Sequence, residues 1–129
     1  MTVIYTAAVT LLALLLYLVI GLNVGEARIK YKVRAPAVAG NEHFERAYRV
    51  QMNTLEQLAF FIPSMWLCAL YLSDIAAAAG GVVWIVGRAV YALAYIRDPA
   101  SRGTGMMISL AAQIGLFLGA AIGVVWSFF

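Results

Sequence analysis

FERAYRVQMNTLE, residues 44–56, runs from a charged stretch into an apolar one and carries Arg49, Asn53 and Glu56 with it. These three stand at i, i+4 and i+7, so on a helix they share one stripe. What surrounds them decides what kind of helix this is. The chain of 129 residues is 64% hydrophobic and only 12% charged, against roughly 25% charged in a soluble domain. That balance marks an integral membrane protein. Four apolar segments of about 20 residues fit the length, so the expected fold class is an all-α integral membrane bundle of four transmembrane helices. A single domain is expected over residues 1–129, without room there for a soluble module. A polar stripe inside such a helix is costly and must face a partner or a cavity.

Working outward from residues 44–56, helix 2 is expected over about 44–72. Ahead of it lies the main polar stretch, Glu26 to Arg46, with Arg28, Lys30, Lys32 and Arg34 before Pro36 and Gly40. Helix 1 is expected over about 3–23. Its ionisable groups are the phenols of Tyr5 and Tyr17, and without a basic opening segment it reads as a retained span rather than a signal peptide. After helix 2, Ser73-Asp74 and Gly80-Gly81 suggest a turn, which places helix 3 at about 81–96, closed by Asp98-Pro99. Helix 4 is expected over about 106–129, with Gly115, Gly119 and Gly123 forming a close-packing edge for another helix. All nine Lys and Arg residues lie in or beside loops 1 and 3, or on the adjoining parts of helices 2 and 3. The positive-inside rule puts those loops in the cytoplasm and both termini outside. Cys68 stands alone, which excludes an intrachain disulfide, and a single histidine beside it gives no basis for a metal site.

Depth links helices 2 and 3. Counted inward from the cytoplasmic end, Glu56 and Arg88 each lie about nine residues in, roughly 13 Å into the membrane. An isolated charge there costs at least ~2.5–3.5 kcal/mol, so the two are expected to neutralise each other directly or through the polar cluster. Asn53 matches the depth of Tyr91, and Arg49 that of Tyr95. Helix-to-helix glue accounts for Glu56 and Arg88. It accounts less well for Arg28, Arg49, Arg97 and Arg102, which have too few acidic partners. An excess of cations beside an apolar surface suits an anionic, partly apolar ligand, and on the residues alone both accounts stand.

The pattern F-E-R-x-x-R-x-x-x-N-x-x-E over Phe44–Glu56 closely resembles the signature of the MAPEG family, membrane proteins of eicosanoid and glutathione metabolism. A second block, Arg88, Tyr91, Tyr95 and Arg97 followed by Arg102, resembles the third helix and loop of the same family. The resemblance implies a four-helix bundle assembled as a homotrimer, with ligand sites between neighbouring subunits near the cytoplasmic face. In the glutathione-using branch it further implies a glutathione S-transferase, with glutathione peroxidase activity as an accompanying reaction. By correspondence Arg28, Arg49, Gln51, Asn53, Glu56, Tyr91 and Tyr95 bind glutathione, and Arg102 stabilises its thiolate.

Glutathione is then the co-substrate, and no metal is called for. The partners are glutathione, a lipophilic electrophile, the bilayer and further copies of the chain, with no nucleic acid among them. Two positions depart from the leukotriene-forming members: Gln57 replaces a tyrosine that touches glutathione, and Ile29 replaces a second helix 1 arginine. Both departures point to a generic or different electrophile. Two other classes compete. A non-catalytic lipid-binding member would keep the fold without turnover. A small multidrug exporter has similar length but relies on a membrane-embedded glutamate in helix 1, which is absent here.

Overall fold

The computed structural model describes residues 2–129 and shows four long helices: α1 (Ile4–Tyr31), α2 (Glu42–Tyr71), α3 (Asp74–Arg97) and α4 (Gly103–Trp126). A 3₁₀ turn, Pro99–Ser101, joins α3 to α4. Helices α1 and α3, and the stretch from Pro99 through α4, are long and apolar enough to cross a membrane. Helix α2, with its polar first half, packs lengthwise among them. The topology is up-down-up-down. Asp74 at the start of α3 accepts from the backbone N–H of Tyr5 (3.1 Å) and of Thr6 (2.9 Å), so α1 and α3 begin at the same end. At the opposite end Arg46 donates to the carbonyls of Ile96 (3.3 Å) and Arg97 (3.4 Å), joining the start of α2 to the finish of α3. Loops 1 and 3 therefore share one end of the bundle.

The helix ends differ from the sequence expectation in instructive ways. Helix α1 runs eight residues beyond Asn23, for about 42 Å in all. Leaving the apolar phase does not stop a helix; a backbone signal does. That signal is Lys32, in the left-handed region at φ 57°, where the Lys32 and Val33 N–H groups turn back to the Arg28 carbonyl. Helix α2 starts two residues earlier than expected, because the Asn41 side chain caps it by accepting from His43 and Phe44.

Helix α3 begins at Asp74 rather than at Gly81, capped by Ser73, whose Oγ accepts from the Ala76 N–H at 3.2 Å. Gly80 and Gly81 are thus interior residues and not a turn. A Cβ at Gly81 would stand 2.6 Å from both Met65 Sδ and Val9 Cγ1, so the pair permits close approach of three helices. Helix α4 spans Gly103–Trp126, shifted three residues toward the N-terminus relative to the expected 106–129.

The glycine edge of α4 is divided. A Cβ at Gly123 would come 2.6 Å from the Tyr71 carbonyl oxygen, and one at Gly119 3.1 Å from Cys68 Sγ, so both pack on α2, whereas Gly115 has nothing within 4 Å. The core at mid-bundle stacks Phe61 on Trp84, with ring centres 4.0 Å apart and planes 3° from parallel. The Trp84 Nε1 donates to Gln113 Oε1 at 3.1 Å, satisfying a buried indole. Helix α1 has one face on this core and leaves Leu11 (69% exposed) and Leu22 (65%) uncovered, as expected of a helix that meets lipid or another apolar surface.

Candidate functional site

Beside the shared end of loops 1 and 3, a cleft of about 380 Å³ opens between α2, α3 and the start of α4. Its α2 wall is the stripe read from the sequence: Arg49, Asn53 and Glu56 all line it. Tyr91 and Tyr95, four residues apart on α3, form the facing wall, with ring centres 5.7 Å apart and planes inclined by 51°. Arg102 closes the end. Its guanidinium lies 5.8 Å from the Tyr95 ring centre and donates to the Pro99 carbonyl at 2.6 Å.

That placement of Arg102 is set by backbone packing. A Cβ at Gly105 would fall on the Tyr91 backbone nitrogen and 2.7 Å from the Gly87 carbonyl oxygen. Only glycine lets the first turn of α4 lie flat against α3, and this brings Arg102 alongside the two tyrosines.

Six of the eight residues singled out in the sequence therefore meet in one cleft. Gln51 and Arg28 do not. Gln51 is two residues from both Arg49 and Asn53, about 200° around the helix, and its side chain turns toward α1: a Cβ at Gly21 would meet Gln51 Nε2 at 3.1 Å. Arg28, seven residues beyond Gly21 on the same stripe of α1, donates to the Ala37 carbonyl at 2.7 Å and lies 4.8 Å over the Phe44 ring. It lines a separate groove together with Lys32 and Arg34.

The expected ion pair between Glu56 and Arg88 is absent. The one ion pair among the described residues is Glu42–Arg46, 2.6 Å, one turn apart at the start of α2. Arg88 is fully buried and donates instead to Asn53 Oδ1 at 2.8 Å, while Glu56 is exposed on the cleft. Depth alone pairs Arg88 with Glu56 and Asn53 with Tyr91, but the packing of α2 against α3 gives the position facing Arg88 to Asn53. The charge balance of the cleft also differs from a plain surplus of cations. Two arginines, Arg49 and Arg102, are accompanied by two carboxylates, Glu45 and Glu56. Such a lining suits a zwitterion better than a simple anion.

Glu45, Tyr48 and Met52 also line the cleft. Their signal was present in the sequence, since with Arg49, Asn53 and Glu56 they continue one helical face at spacings of three and four. Val38 and Met106 enter only through the fold. Among the described residues no group of three or more His, Cys, Asp or Glu side chains is gathered in a way that could hold a metal.

Comparison with known proteins gives this geometry a context. The sequence model of the MAPEG family matches residues 6–122. An uncharacterized protein of Synechocystis is 47% identical over 122 residues, covering 95% of this chain and 89% of the relative. Human microsomal glutathione S-transferase 2 is 38% identical over 122 residues, covering 95% and 83%. Bovine leukotriene C4 synthase is 34% identical over 122 residues, covering 95% and 81%. With a family match across most of its length, a four-helix membrane fold and four of the six signature residues, Glu45, Arg49, Asn53 and Glu56, lining one cleft, the chain belongs to the MAPEG family.

Proposed function

We propose that this protein is a membrane-bound glutathione S-transferase that conjugates the glutathione thiolate to a lipophilic electrophile. The observation that carries this function is the convergence of Arg49, Asn53, Glu56, Tyr91, Tyr95 and Arg102 on one cleft. Glutathione presents two carboxylates, one ammonium and one thiol. Arg49 offers a guanidinium fork for a carboxylate, Glu56 an acceptor for the ammonium, and Asn53 and the phenols neutral hydrogen bonds. Arg102 supplies the remaining positive charge. An arginine stays protonated throughout the neutral range and cannot act as the base. Its effect is to favour the thiolate, so that the thiol loses its proton to solvent more readily. The thiolate sulfur then attacks the electrophilic carbon and forms the C–S bond, while the electron pair departs on the leaving group or opened ring oxygen.

Arg28 and Gln51 fit the same proposal if the assembly is a homotrimer. Both lie toward α1, on the far side of α2 from the cleft, where they would meet the cleft of a neighbouring copy. The exposed apolar face of α1 supports such an interface. We place loops 1 and 3 in the cytoplasm and both termini outside, so that the cleft faces the cytoplasmic thiol pool and the electrophile arrives from the bilayer. The test is direct. Purified protein in detergent should develop thiolate absorbance on addition of glutathione and conjugate a small aromatic electrophile. Absence of both glutathione binding and the thiolate signal would overturn the proposal. Binding without turnover over a broad electrophile panel would leave a glutathione-binding protein and not an enzyme.

A further inference from the structure

Arg88 does not line the cleft, yet it touches two residues that do. It is 0% exposed. Its Nη2 donates to Asn53 Oδ1 at 2.8 Å, and its guanidinium carbon lies 4.0 Å from the centre of the Tyr91 ring. Nε and Nη1 have no hydrogen-bond partner, and no carboxylate lies within ion-pair distance, among the described residues. A buried cation without an acid is an expensive way to join two helices. A neutral donor could make the same bond to Asn53 at lower cost. A guanidinium does something a neutral donor does not: it holds the amide by an edge and the aromatic ring by a face at once.

The hydrogen bond has a consequence for recognition. An asparagine amide can be turned two ways, and its partners decide which. Facing Arg88, the NH2 of Asn53 would oppose donor to donor, so the oxygen takes that side. The Asn53 NH2 is left for the cleft. We propose that Arg88 is a positioning residue that makes Asn53 a fixed donor, selecting a ligand group that accepts there, a carboxylate or an amide carbonyl, with Tyr91 held beside it. This role rests on the glutathione-binding assignment.

The experiment is a double-mutant cycle on the dissociation constant for glutathione, measured by calorimetry on the full-length protein in detergent. Arg88→Met and Asn53→Ala should each weaken binding about tenfold, the loss of one hydrogen bond involving a charged or ligand-facing group. The double variant should be no more than about twofold weaker than the worse single variant, because the two residues act as one unit. Arg88→Lys keeps a cation that can donate to Asn53 but loses the planar fork and should weaken binding only about threefold, and it carries the same cycle if Arg88→Met does not fold. Asn53→Asp keeps an oxygen for Arg88 but gives the cleft an acceptor in place of a donor. It should lose glutathione binding while its unfolding midpoint stays at or above that of the wild type. Losses that multiply in the double variant, or an Asn53→Asp protein that binds normally, overturn the positioning role while leaving the binding assignment in place. A wild-type protein that binds no glutathione overturns both.

Discussion

Glu56 and Arg102 share the cleft but sit in different surroundings, and substitutions should separate them. Glu56 is exposed on the cleft and makes no ion pair among the described residues. Glu56→Gln should therefore leave the unfolding midpoint nearly unchanged, within about 0.5 kcal/mol in stability. It should raise KM for glutathione about tenfold by removing one charge-assisted contact. Thermal melts and steady-state kinetics on the same preparation check both halves. In the proposed reaction Arg102 acts on the thiol. Arg102→Ala should lower kcat/KM by about 100-fold, the scale expected when a preorganised charge is removed from the reacting atom. The pH at which thiolate absorbance appears should move upward, because the group that favours the anion is gone. An unchanged titration would show that Arg102 does not face the sulfur.

Among the elements, the contact between α3 and the first turn of α4 does the most to shape the site. Gly105 lies against the Tyr91 backbone, and Gly87 stands opposite, where a Cβ would meet the Ser109 nitrogen at 2.6 Å. Gly105→Ala should destabilise the protein by about 1–3 kcal/mol, the usual cost of forcing volume into a packed contact. It should also reduce conjugation in the fraction that remains folded, since α4 must move and takes Arg102 with it. Glutathione affinity and turnover measured below the new melting point separate the two effects. Gly115→Ala is the matched control, with no atom within 4 Å of the added methyl, and should behave like the wild type. The glycines were visible in the sequence, but which of them lie in contacts was not. Four-residue spacing shows that a face exists; only the packing shows that Gly119 and Gly123 meet α2 while Gly115 stays open.

At the scale of the whole molecule, six of the residues singled out in the sequence line the cleft, and two, Arg28 and Gln51, lie away from it toward α1. That division predicts complementation. Copies carrying Arg49→Ala and copies carrying Arg28→Ala should each be impaired alone. Co-assembled in equal amounts in a cyclic homo-oligomer, they should recover about a quarter of the wild-type sites, because half the clefts are intact and half of those meet an intact Arg28. Activity that simply averages the two parent variants would show that Arg28 does not serve the cleft of a neighbouring copy.

The sequence by itself determined the class, the helix count and most of the cleft. Composition demands a membrane solvent, lipid allows only internally hydrogen-bonded elements, and residues at spacings of three and four on one helix must share a face. Gln51, grouped with that face by resemblance, lies off it, since a two-residue step turns a helix by about 200° and the side chain meets α1 at Gly21. Helix ends were less legible, because Lys32, Asn41 and Ser73 act through backbone conformation and capping that hydropathy does not report. What only the tertiary structure decided is which residue of one helix meets which residue of the next. Depth matched Glu56 to Arg88, but the contact fell to Asn53, since the rotation of α2 about its own axis is fixed by packing across the whole bundle. That rotation leaves Glu56 facing the cleft and puts a buried arginine behind its wall.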